Sequence, residues 1–275
     1  MLAIKNNLMA ENAARHLATS YDTLAKSVER LSSGLRINSA ADDAAGLAVR
    51  ELMRADIAVL RQGASNAQDG ISMLQTAEGA LQTIDDCMVR MKELAAQAAT
   101  GSYSTTQRAM MDDEFQEMAN EIDRIAKSTA FNSIGLLNDS AGTAVKIQVG
   151  SGSTANVDYI EVNKVDVSKT GLGLSSLAIT DMGKAQSALA ALGTAIDDKD
   201  EARASFGVKI NRLENTVSVL NIQAENLAAA ESRISDVDVA QEMARMTRNQ
   251  VLAQAGVAML AQANTMPQLA LSLLR

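Results

Sequence analysis

Apolar residues recur alternately three and four positions apart along four stretches of the chain, the spacing with which helices meet along a coiled-coil seam. The first run is Ala10, Ala14, Leu17, Tyr21, Leu24, Val28, Leu31 and Leu35. A second goes from Ala67 and Ile71 through Leu74, Ala77, Leu81, Ile84, Met88, Met91 and Ala95 to Ala98. The third comprises Met111, Phe115, Met118, Ile122 and Ile125. The longest starts at Leu189 and Leu192, ends at Leu220, Ala224 and Leu227, and misses only at Lys199 and Arg203. Both misses adjoin Asp197-Asp198-Lys199-Asp200-Glu201, which reads as a solvated face or a local loosening. A helix from about 181 to 231 would be about 75 Å long at ~1.5 Å per residue. The pattern therefore predicts a mainly α, elongated coiled-coil rod.

Polar and glycine-rich breaks separate the runs. Ser32-Ser33-Gly34 reads as a turn, and Asn38-Ser39-Ala40-Ala41-Asp42-Asp43 as the capped start of the next helix. Thr100-Gly101-Ser102-Tyr103-Ser104 joins the second and third runs, which should form an antiparallel helical hairpin. Residues 131–180 change character, because the heptads vanish and Gly, Ser, Thr and Val rise. Within them Val145–Val149 and Val157–Val162 alternate, with Gly150-Ser151-Gly152-Ser153 in the connection, which predicts a small β-hairpin.

No charged residue occurs from Asn249 to Leu274. A membrane span is opposed by six amides there, Asn249, Gln250, Gln254, Gln262, Asn264 and Gln268, which hydrocarbon would leave unsatisfied. Val251, Leu252, Ala255, Val257, Met259 and Leu260 point in several directions, so this helix needs cover on more than one side. One partner within the chain cannot supply that cover, whereas neighbouring copies can.

Composition sharpens the picture. Of 275 residues 47% are hydrophobic but only 2% aromatic, with 14 Met, so burial falls to aliphatic seams rather than aromatic cores. The single Pro leaves long helices uninterrupted. A net charge of −8 without any basic cluster argues against nucleic acid. Cys87 is alone, so no intrachain disulfide forms, and its place in a helical run suits a small buried hydrophobe. His16 is the one histidine, which leaves no Ser-His-Asp or Cys-His arrangement. Acidic pairs such as Asp42-Asp43, Asp85-Asp86 and Asp112-Asp113 lie at helix starts or on helix faces, and no calcium, dinucleotide or phosphate loop is present. No enzyme, metal or cofactor is expected. The start Met1-Leu2-Ala3-Ile4-Lys5-Asn6-Asn7 lacks the apolar region of a secretory signal peptide.

Two stretches carry a resemblance. One is Arg30-Leu31-Ser32-Ser33-Gly34-Leu35-Arg36-Ile37-Asn38-Ser39-Ala40-Ala41-Asp42-Asp43-Ala44-Ala45-Gly46-Leu47-Ala48. The other is Glu231-Ser232-Arg233-Ile234-Ser235-Asp236-Val237-Asp238, continuing through Asn249-Gln250 and Gln254-Ala255-Gly256 to Ala261-Gln262-Ala263-Asn264. Both closely resemble bacterial flagellin, and the likeness spans roughly residues 1–165 and 181–275. It implies an inner helical domain of residues 1–33 with 236–275, and a helical domain of 34–235 with β-hairpin and loops at about 131–180. The outer variable domains of larger members are absent.

The resemblance further implies an exported, extracellular subunit that polymerises into the flagellar filament for swimming, without a cleaved signal. Its implied partners are other copies of itself, the filament cap and hook-junction proteins, the export apparatus and an export chaperone, with no membrane insertion. Leu17, Leu24, Val28 and Leu31 are expected to pack against Val251, Leu252, Ala255 and Met259 as the polymerisation core. Arg90, Glu93, Leu94 and Glu114 match the helical patch that toll-like receptor five detects in some flagellins, although Val89 and Lys92 depart from the well-recognised pattern. The same charges also suit a solvated or interface helix face. A hook–filament junction protein and a cytosolic coiled-coil scaffold are rival readings, and the scaffold gives no reason for the uncharged C-terminal stretch.

Overall fold

The computed structural model describes the backbone of residues 7–138 and 144–273 and side chains as far as residue 266. The start of the chain, Met1–Asn6, on which the expected absence of a signal peptide rests, lies outside the described residues. Five helices dominate: α1 Leu8–Ser33, α2 Ala44–Ala98, α3 Thr105–Ser128, α4 Met182–Ser235 and α5 Val239–Leu273. Four short strands pair as two antiparallel hairpins, β1 Ala130–Phe131 with β2 Ile134–Gly135, and β3 Val145–Gln148 with β4 Tyr159–Val162. The fold is mainly α with paired terminal helices, as the periodicity predicts. The chain divides into two compact units, residues 1–55 with 225–275 and residues 56–224.

In the first unit α1 and α5 pack antiparallel. The Asn7 side chain caps α1 by accepting from the Ala10 N–H, and its amide reaches the Ala263 carbonyl at 2.7 Å. Gly34 ends α1 in the left-handed region at φ 73°, donating to the Arg30 carbonyl. Asp238 starts α5 by accepting from the N–H groups of Ala240 and Gln241. Such caps satisfy donors that a helix end cannot pair internally.

In the second unit the heptad positions of α2, α3 and α4 form one apolar core. Leu81, Ile84, Met88, Met91, Ala95 and Ala98 of α2, Phe115, Ala119 and Ile122 of α3, and Leu192, Phe206 and Leu213 of α4 are all buried in it. Cys87 packs partly buried against this core, and burial pushes its thiol up from the usual range.

The α2–α3 turn is held by Arg108, whose buried guanidinium donates to the carbonyls of Ala98 (2.8 Å) and Thr100 (3.0 Å). Ser104 and Gln107 form a capping box at the start of α3. The β3–β4 hairpin follows the predicted alternation, with Ile147, Ile160 and Val162 inward. It lies on α2, where Gly63 and Gly70 make room: a methyl there would stand 2.4 Å from the Val149 carbonyl oxygen and 2.4 Å from Ile147 Cδ1.

Sequence periodicity does not reveal the β1–β2 hairpin. Its turn places Asn132 and Ser133 at φ 49° and 66°, the left-handed pair of a two-residue loop, where Asn-Ser stands in place of the usual Asn-Gly. Each strand is only two residues long, too short to alternate.

Candidate assembly surface

The α1–α5 seam is built mostly from small residues. Ala10, Ala13, Leu17, Ser20, Leu24 and Leu31 of α1 are partly buried and Ser27 fully, and on α5 Met246, Asn249, Gly256, Leu260 and Ala263 are partly buried and Ala253 fully. Gly256 sits under Leu17: a Cβ at Gly256 would meet Leu17 Cδ1 at 3.1 Å. Helices whose contact positions are small approach closely, so the larger side chains on either side stay outside.

This changes the expected pairing. Leu17, Leu24 and Leu31 take the seam, as their spacing predicts. Val28 does not, being 50% exposed, and Tyr21 is equally exposed. Val251 (59%), Leu252 (50%) and Met259 (65%) also face outward, as does Ala255, while Ala253, Gly256 and Leu260 occupy the contact. The Leu row of α1 is flanked by two candidate rows, and α5 selects the one bearing Ala13, Ser20 and Ser27 because these admit close approach. Leu8, Met9, Tyr21 and Val28 on α1 and Val239, Met243, Val251, Leu252, Val257 and Met259 on α5 remain as unpartnered apolar side chains within this unit. Met243, Ala244, Thr247, Arg248, Val251 and Leu252 line a shallow groove along α5 itself.

Next to the helix pair, the two signature stretches join. Leu35 bridges Asp236, Arg36 N–H donates to the Ser235 carbonyl at 2.6 Å, and Val237 N–H donates to the Gly34 carbonyl at 3.0 Å. The Arg36 guanidinium adds a bond to the Ile234 carbonyl at 2.7 Å. Asp42 accepts from the Ser39 N–H and hydroxyl with Arg30 3.5 Å away, and chiefly the Ser39 backbone bond holds its carboxyl below the usual carboxylate range. Asp43 caps α2 through the Gly46 N–H, and Arg50 is buried with its guanidinium on the Ile37 carbonyl at 2.7 Å. A side chain at Gly46 would strike Asp43 and Ile37. The motif that looks like a string of polar turn residues is thus a hydrogen-bonded clasp tying the end of α1 to the start of α5.

On α2 and α3, Arg90 donates to Glu114 at 2.7 Å and to Glu93 at 3.1 Å, and all three are exposed. Leu94 is 2% exposed and belongs to the core beneath them, so it is not part of the surface they form.

The two missed heptad positions of α4 meet charges on α2. Lys199 is 1% exposed, with Nζ 2.5 Å from Asp85 Oδ1 and 2.7 Å from Asp200 Oδ1, and Arg203 lies 3.3 Å from Glu78. Burial alone would lower the Lys199 pKa, but its bonds to Asp200 and Asp85 outweigh that and raise it. The reading of Lys199 as part of a solvated face is therefore overturned. Its four-carbon stem fills a seam position while its ammonium reaches a carboxylate at the seam's edge. Asp85 and Glu78 stand seven residues apart on α2, but which helix faces them is set by register rather than by that spacing.

Among the described residues, no cluster of His, Cys, Asp or Glu could hold a metal, and no helix is long and apolar enough to cross a membrane.

Residues 4–142 match the model of the bacterial flagellin N-terminal helical region, and residues 189–274 match that of the C-terminal helical region. The chain is 46% identical over 274 residues to a flagellin of Halalkalibacterium halodurans, with both chains covered in full. It is 43% identical over 290 residues to the flagellar filament 33 kDa core protein of Treponema phagedenis, again with full coverage of both. The crystal structure of Bacillus cereus flagellin is similar at 34% identity and a TM-score of 0.51, over 61% of this chain and 94% of that one.

Proposed function

Because the chain belongs to the bacterial flagellin family and is a structural subunit of the extracellular flagellar filament, not an enzyme, we propose that its polymerisation is driven by the outward apolar faces of α1 and α5. The observation that carries this reading is the exposure of Val251, Leu252 and Met259 on a helix without charges from Asn249 onward. Leu17, Leu24 and Leu31 serve the pairing of α1 with α5, while Val28, Val251, Leu252, Ala255 and Met259 face the neighbouring copies. Burying one such Leu or Met contributes about 1.5–3 kcal/mol, and in a lattice every copy gains it. On this reading residues 1–33 with 236–275 act as the inner helical domain, and 34–235 as a helical rod domain with the β-hairpin.

Leu252→Asp tests the reading. It should leave residues 56–224 folded by circular dichroism and abolish filament formation in sedimentation and electron microscopy. Normal filaments from this variant would overturn it.

The resemblance supports further partners: the filament cap and hook-junction proteins at the filament ends, and the export apparatus with an export chaperone before assembly. Passage through a narrow conduit without a cleaved signal fits a chain that needs no disulfide and contains one proline. Recognition by toll-like receptor five rests on Arg90, Glu93 and Glu114, with Leu94 supporting α2 from below. Reporter cells given purified monomer should respond less to Glu114→Ala, and no response to the unaltered chain would remove this partner.

A further inference from the structure

Three glycines interrupt the α2–α4 pair for no reason that packing supplies. Gly79 lies within α2, and Gly193 and Gly207 lie within α4. A Cβ built on any of them meets no heavy atom within 4 Å. None has the positive φ that would demand glycine, in contrast to Gly34 and Gly173. Gly63 and Gly70 on the same α2 have an evident role, since the β3–β4 hairpin occupies the space of their missing side chains. For Gly79, Gly193 and Gly207 only the property of the residue itself remains: after proline, glycine is the poorest helix former.

The charged layer falls in the same stretch. Lys199 meets Asp85, and Arg203 meets Glu78, one residue from Gly79. Between Leu192 and Phe206 the fully buried residues of α4 are Ala195, Lys199 and Ala202, with Ile196 partly buried beside them. Helix α4 therefore presents smaller apolar side chains there than on either side, while Leu81 and Ile84 of α2 stay in the core. Only Lys199 of these groups is buried; Asp85, Asp200, Arg203 and Glu78 keep access to solvent, and pairs so exposed return little stability. Weak helix propensity, small α4 side chains and a partly exposed ionic layer thus fall within one stretch of the pair. Larger fully buried side chains return on α4 at Phe206, Leu213 and Leu220.

We propose that residues 78–85 of α2 and 193–207 of α4 form a compliant joint, at which α4 lifts from α2 and the pair bends while the core on either side stays closed. The Lys199–Asp85 bond marks the closed state and re-forms on return, because both partners lie within hydrogen-bond reach when the helices meet. Local opening of this kind is a low-lying excursion of the native state, and amide exchange reports it directly.

The test is hydrogen–deuterium exchange on the full-length monomer. Amides in 79–85 and 195–205 should exchange at least about tenfold faster than those in 88–96 and 210–220. Combining Gly79→Ala, Gly193→Ala and Gly207→Ala should remove most of that difference and leave the fold unchanged, since the added methyls meet open space. Lys199→Met, which supplies apolar surface of similar length, should slow exchange in the same stretch on its own. Uniform exchange along α2 and α4 in the unaltered chain would overturn the proposal. So would unchanged exchange in both variants. If exchange is unchanged but the triple variant no longer assembles, the glycines are contact points for a second copy and the joint is likewise overturned.

Discussion

Val149 brings its carbonyl so near α2 that only a missing side chain accommodates it, and Gly63 supplies that absence. Gly63→Ala must displace the β3–β4 hairpin, because the clash is with backbone. Overpacking of this kind costs about 1–3 kcal/mol, and thermal unfolding of residues 56–224 should show it. Gly70→Ala should cost less, since its methyl meets Cδ1 of Ile147, the free end of a side chain. Neither role was legible in the sequence. Gly63, Gly70 and Gly79 all interrupt the same helical run, and what separates them is a strand that arrives from about eighty residues further on. Lys199 was half legible: its seam position followed from the heptad, but its carboxylate partner depended on the facing register of another helix.

The helices themselves were almost wholly legible. Heptads continuous in α2 and α3, and broken in α4 only at Lys199 and Arg203, place the core residues correctly because aliphatic side chains at three-and-four spacing have one buried face. The seam of α1 was ambiguous for a physical reason. Its Leu row is bordered by Ala14, Tyr21 and Val28 on one side and by Ala13, Ser20 and Ser27 on the other, and both arrangements keep the spacing. Hydrophobicity favours the first, whereas close approach to Ala253 and Gly256 favours the second. A seam of small side chains buries little, and in α1 Ser27 alone is fully buried. The α1–α5 pair should therefore open more readily than the second unit. Limited proteolysis of the monomer should cleave within 8–33 and 239–266 well before 56–224, and assembly into filaments should protect both segments. Equal resistance in the monomer would show that the pair is stable by itself.

Charge divides the whole molecule unevenly. Residues 1–55 with 225–275 carry equal numbers of basic and acidic side chains, so the entire net charge of −8 resides in residues 56–224. On the proposed reading, attraction between copies comes from a neutral unit and repulsion from an acidic one. Raising ionic strength from about 0.01 to 0.15 M shortens the screening length from about 30 to about 8 Å. That should lower the monomer concentration left after assembly, as read by sedimentation, and a value independent of salt would place the repulsion elsewhere. The Arg108 bracket on the Ala98 and Thr100 carbonyls bears on how such a subunit begins to fold. It spans ten residues or fewer and joins two strong helix formers, so closing it sacrifices little chain entropy. We expect a chain folding from an extended state to nucleate at this corner, with the long helices condensing outward from it as a zipper closes from its stop.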